Sequence, residues 1–169
     1  MKSTLFTMVG VLVFAGSFFA QSTQRASEAF SWNAELVALD QNAKVITVKS
    51  PFVGEQTPVE FERIKAGERV MLTWSGYDTY ADAIREVRPV AVKKLEERFT
   101  FPAEFVSFDP TRRYVTFKVQ IPESSLANLK SLKAGDWVTA TSSHGAAAKT
   151  NPTAAIRPYV EPASAAKPS

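Results

Sequence analysis

The chain has 169 residues, a formal net charge of +3 and 45% hydrophobic residues. So small a charge, with both signs interspersed, argues against a nucleic-acid partner. Cysteine is absent, which excludes disulfides, thiol catalysis and thiolate metal sites and leaves the fold to its core alone.

Lys2 precedes an uncharged apolar run from Leu5 to Phe19. A run this short, behind a single positive charge, predicts a signal peptide over residues 1–20 rather than a membrane helix. Ala20 follows a bulky Phe18, whereas Ala29 follows the small Ser27, so cleavage as late as residue 29 fits the small-x-small rule better. No cysteine follows the run, so no lipid anchor and no stable membrane attachment are expected after cleavage. Residues 21–29 are polar and are expected to be disordered.

From there the chain is written twice. Ala34-Glu35-Leu36-Val37-Ala38-Leu39-Asp40, Lys65-Ala66-Gly67-Glu68-Arg69-Val70 and Arg88-Pro89 return 69, 68 and 69 residues later. They return as Ala103-Glu104-Phe105-Val106-Ser107-Phe108-Asp109, Lys133-Ala134-Gly135-Asp136-Trp137-Val138 and Arg157-Pro158. A self-match at nearly constant spacing predicts two copies of one small unit.

Each copy opens with a strand and a turn, Asp40-Gln41-Asn42-Ala43 or Asp109-Pro110-Thr111-Arg112. The next strand alternates: Ile46 and Val48 face in against Thr47 and Lys49, and Val115, Phe117, Val119 and Ile121 face in against Thr116, Lys118 and Gln120. In the first strand Leu36, Val37 and Leu39 are all apolar, so its inward face stays unassigned. Glu35 and Glu104 share one repeat position, read as an outward residue or one paired with a base in the wall. Copy one continues with a turn over Ser50–Glu55 and a strand over Pro58–Glu62. Copy two has a short helix there instead, with Leu126, Leu129 and Leu132 three apart and Ser124 or Ser125 as cap. Turns at Gly67 and Gly135 then lead into strands over Arg69–Ser75 and Trp137–Ser143, with Val70, Leu72, Trp74, Val138 and Ala140 inward. Closing strands fit Asp82–Val90 and Thr153–Val160. Residues 161–169 predict a disordered tail.

The opening A-E-x-V-x-x-D hairpin, the L-K-x-G-D-x-V turn and the closing strand resemble small barrels exported by bacteria. Some of these have no known function; others, more distantly similar, are of the periplasmic copper-chaperone type. That resemblance implies OB-like barrels. The copper type would also imply a His, paired Met ligands and a covering Trp. Past the leader this chain has one Met, Met71, and one His, His144, in different copies. The metal residues therefore do not carry over, and no cofactor is expected.

Other chemistry is sparse. Ser142-Ser143-His144 is a loop sequence rather than a triad. Asp78 and Asp82 lack calcium-loop spacing. Aromatics are the remaining signal: Tyr77 and Tyr80 in a loop of copy one, and Tyr114 and Trp137 on the outer wall of copy two, where copy one has Val45 and Arg69. Two aromatics on an outer wall predict a contact surface; the short connection from Val90 to Phe99 favours a contact between the repeats, with a ligand site as the alternative.

The sequence thus predicts an all-β chain: a signal peptide, two tandem OB-like five-stranded β-barrels over residues 30–92 and 98–160 with a short helix in the second, and a tail. The expected function is non-enzymatic binding or scaffolding in the bacterial cell envelope, periplasmic or secreted. The expected partner is another envelope protein or an extracytoplasmic ligand. A periplasmic metal-handling accessory is the alternative. An oligosaccharide or single-strand binder is the second alternative.

Overall fold

The computed structural model describes residues 29–74, 83–90, 99–143 and 152–160. The leader and the tail expected from the sequence lie outside them. Strands β1 (Ala29–Asp40) and β2 (Val45–Pro51), helix α1 (Pro58–Glu62), and strands β3 (Arg69–Trp74) and β4 (Ile84–Pro89) form the first repeat. Strands β5 (Thr100–Asp109) and β6 (Tyr114–Gln120), a 3-10 turn (Glu123–Ser125), helix α2 (Leu126–Leu129), and strands β7 (Trp137–Ser143) and β8 (Thr153–Pro158) form the second. No helix among the described residues is long and apolar enough to cross a membrane.

The hairpin expected at the start of each repeat forms, as β1–β2 and β5–β6, but the expected pair of separate barrels does not. All eight strands lie in one antiparallel sheet that is not closed, in the order β4-β3-β5-β6-β2-β1-β7-β8. Each repeat contributes four of these strands rather than five. Its opening strand pairs with the other repeat: β1 runs along β7, and β5 along β3. The two repeats meet a third time at β2–β6. A lone repeat of about 60 residues has little surface to bury. Exchanging strands puts the apolar faces of both copies into one core.

The repeated motifs make the exchange. In the Lys-Ala-Gly-acid turn the carboxylate of Glu68 accepts from the Lys65 N–H at 3.1 Å, and that of Asp136 from the Lys133 N–H at 2.8 Å. Gly67 and Gly135 then take φ of +86° and +95°, where a Cβ is unfavourable. Each turn docks on the opposite repeat. The Gly67 N–H donates to the Phe105 carbonyl (2.8 Å) and the Phe105 N–H to the Glu68 carbonyl (2.9 Å). The Gly135 N–H donates to the Leu36 carbonyl (2.8 Å) and the Leu36 N–H to the Asp136 carbonyl (2.7 Å). Just past these contacts both opening strands slip register, between Leu36 and Ala38 and between Phe105 and Ser107. Val37 and Val106 are the extra bulge residues, which is why three apolar residues crowd one stretch of β1.

Inward faces follow the alternation: Ile46, Val48, Val70, Val115, Phe117 and Val138 are all fully buried. At the centre Trp32 stacks on Phe101, 4.9 Å between centroids and 5° between planes. These two are repeat equivalents, so the stack crosses the pseudo-twofold relation between the copies. Phe30 and its equivalent Phe99 meet edge-on at 5.6 Å.

One expected strand is a helix. Residues 58–62 form α1 because Pro58 suits a first helical turn and Glu60 accepts from both the Thr57 N–H (2.7 Å) and the Thr57 hydroxyl (2.9 Å). Phe61 then stacks on Phe108 of the other repeat at 3.9 Å. In copy two the expected helix is present, but Ser125 does not cap it; its hydroxyl accepts from the Ile156 N–H at 2.9 Å. The equivalent Val87, on the opposite sheet edge, exchanges two 2.7 Å bonds with the Gln56 side-chain amide. Both edge strands are thus occupied by side chains of the preceding connection, which blunts edge-to-edge pairing.

Candidate binding surface

The sheet's outer face carries two equivalent rows of side chains. β1 and β2 pair Glu35 opposite Lys49, and β5 and β6 pair Glu104 opposite Lys118. Both pairs are ion pairs, at 2.9 Å and 2.7 Å. The repeated glutamate is therefore an outward wall residue paired with a base. Such half-exposed pairs contribute about 0–1 kcal/mol, so they set register and surface chemistry more than stability.

The rows diverge beyond these pairs. In the row through Glu104, the neighbour on β3 is Arg69, whose carbonyl accepts from the Val90 N–H at 3.3 Å. In the row through Glu35, the neighbour on β7 is Trp137, whose carbonyl accepts from the Tyr159 N–H at 2.9 Å. Tyr159 is the repeat equivalent of Val90. By strand alternation it shares the outer face with Trp137 and Arg157, since Ile156 faces in. Trp137 and Tyr159 are 39% and 38% exposed. At the other end of the row Thr116 stands opposite Lys49, and on the diagonal the Lys49 ammonium lies 5.9 Å from the ring centroid of Tyr114, the equivalent of Val45. A shallow cleft of about 320 Å³ opens there between Glu35, Lys49, Tyr114, Asp109 and Arg112.

Of the residues singled out in the sequence, Tyr114 and Trp137 therefore lie on one outer face, Trp137 in the row through Glu35 and Lys49 and Tyr114 diagonal to Lys49. Tyr77, Tyr80 and His144 lie outside the described residues. Trp74 is buried, 5.3 Å from Trp32, and is a core residue. The strand that carries Trp137 does pair with the first repeat along its length, yet the indole stays partly open to solvent. Tyr159 was missed by sequence reasoning; the 69-residue offset from Val90 is the signal that finds it. Among the described residues no three His, Asp or Glu side chains gather where they could hold a metal ion.

Comparisons with protein-family models, with curated proteins and with solved structures find no match for this chain.

Proposed function

We propose that the chain is an exported, non-enzymatic binding or scaffolding protein of the bacterial cell envelope, with the outer face of β6, β2, β1 and β7 as its recognition surface. One observation carries this reading. At three equivalent positions of a duplicated wall, copy two has Tyr114, Trp137 and Tyr159 where copy one has Val45, Arg69 and Val90. Partly exposed aromatics are costly to leave facing water and are typical of contact surfaces. Copy one shows that the fold does not require them. The leader supplies the export half of the proposal: Lys2 and the Leu5–Phe19 run fit a cleaved signal peptide. The OB-like description belongs to the proposal as well. It is supported at the β4 end of the sheet, where the segment after β2 meets β4 through an isolated Phe52–Ile84 bridge.

The test uses the three tryptophans as reporters. Trp32 and Trp74 are 1% and 2% exposed, so only Trp137 can sense an outside partner directly. The protein recovered from fractionated cells should be extracytoplasmic and shortened at its N-terminus by intact mass. Adding envelope extract should shift the Trp137 indole resonance and leave those of Trp32 and Trp74 in place. Full-length protein confined to the cytoplasm, or an unmoved Trp137 signal in every envelope fraction, would overturn the proposal.

A further inference from the structure

We infer that the ligand of this row is a neutral oligosaccharide, an inference that rests on the row being the recognition surface. Its order across the sheet is aromatic, charged pair, hydroxyl: Tyr159 and Trp137, then Glu35 with Lys49, then Thr116, with the Tyr114 ring flanking Lys49 on the diagonal. The flat apolar faces of pyranose rings stack on aromatic rings, and their hydroxyls need donors and acceptors side by side. The middle of the row supplies both. The Glu35 carboxylate accepts, the Lys49 ammonium donates, and their 2.9 Å contact lets each do so without an uncompensated charge. Thr116 and Ser107 add hydroxyls to the same cleft.

Charge separates this ligand class from others. Glu35 and Asp109 balance Lys49 and Arg112, so the cleft offers no net field to a polyanion. A protein partner would favour an apolar centre with a polar rim. Here the order is reversed: the charged pair is central and the aromatics flank it. The other row provides the contrast within the same molecule. Arg69 and Lys118 outnumber Glu104 there, and no aromatic side chain takes part.

The probes are cellohexaose, maltohexaose and chitohexaose, titrated into the mature full-length protein while the three indole resonances are followed. At least one should shift Trp137 saturably and leave Trp32 and Trp74 unmoved. The deciding variants borrow copy one's own residues: Tyr159→Val and Tyr114→Val, read at the Trp137 indole, and Trp137→Arg, which lacks that reporter and is read by titration calorimetry. Each should weaken binding roughly tenfold or more, as loss of one stacking platform implies. In each variant, unmoved Trp32 and Trp74 resonances report an intact core. Arg69→Trp with Val90→Tyr, the reverse exchange, should leave affinity unchanged at the original row. If none of the three glycans moves Trp137 but envelope extract does, the carbohydrate inference fails and the recognition surface stands. A shift produced instead by oligo-dT or by an unstructured peptide also overturns the inference. If nothing moves Trp137, both readings fail.

Discussion

Trp32 and Phe101 occupy equivalent positions and differ in size, and the difference is made up at a second equivalent pair. Trp74 lies 6.2 Å from Phe101, whereas the residue in its place in copy two is Ser142, whose hydroxyl accepts the Trp32 indole N–H at 2.8 Å. Trp74 also lies 5.3 Å from Trp32, so the three rings pack together and the small Ser142 leaves room for the larger indole of Trp32. Ser142 and Trp32 are 0% and 1% exposed. Ser142→Ala therefore strands a buried donor and should cost about 1–3 kcal/mol in chemical denaturation. A midpoint equal to that of the parent would mean that the indole N–H has another acceptor. Glycine positions make a second contrast at this scale. A Cβ on Gly67 would meet nothing within 4 Å, so Gly67→Ala carries only the backbone penalty of its φ, about 1–2 kcal/mol. A Cβ on Gly54 would fall on the Arg85 backbone carbonyl, which cannot swing aside as a side chain can. Gly54→Ala should therefore be the worse of the two, at about 3 kcal/mol. Melting curves in the reverse order would refute this account of the two turns.

At the level of elements, the strands and their opening hairpins were legible and the partners across the repeats were not. Alternation in Tyr114–Gln120 fixes both the strand and its buried face, because a period of two has only one inward solution. The opening strand resisted because a bulge breaks that period at Val37 and Val106, and no composition signal marks a bulge. The Pro58–Glu62 segment was misread because its short apolar content suits either state. The local cap decided it, with Pro58 at the start and Glu60 reaching back to Thr57. That cap has a pH signature. Hydrogen bonds from the Thr57 backbone and then its hydroxyl hold the Glu60 carboxyl below its ordinary value of 4.5. A lowered folded value adds stability above the unfolded value and loses it as pH falls through the folded one. Glu60→Ala should therefore be less stable than the parent at neutral pH, and the gap should narrow on acidification below about 4.5. A gap independent of pH would show that the carboxylate does not cap α1. The outer row was half legible. Tyr114 and Trp137 stood out against Val45 and Arg69, but the Glu35–Lys49 pair between them needed the strand register, which the sequence does not carry.

For the whole molecule, a repeat spacing of 69 residues is equally compatible with two self-contained units and with two that exchange strands. Sequence periodicity cannot separate them, because equivalent strands carry equivalent faces in both arrangements. The sheet order separates them. With β1 on β7 and β5 on β3, neither repeat completes its own core, and the central Trp32–Phe101 stack takes one ring from each. The helices reinforce the exchange, since Phe61 of α1 packs on Phe105 and Phe108 of β5. Two consequences follow for the full chain. Thermal unfolding should be a single cooperative transition with equal calorimetric and van't Hoff enthalpies, although the chain contains two repeats. A protease site placed within residues 91–98 should, once cut, yield two fragments that stay together through gel filtration and separate only in denaturant. The interface holding them is three strand ladders plus a shared aromatic core, closer to a domain interior than to a contact between domains. Fragments that part under native conditions and each retain a folded spectrum would mean that the repeats are independent units after all. The outer row would then have to be reconsidered with them, since Trp137 and Glu35 stand side by side only because β7 of one repeat lies along β1 of the other.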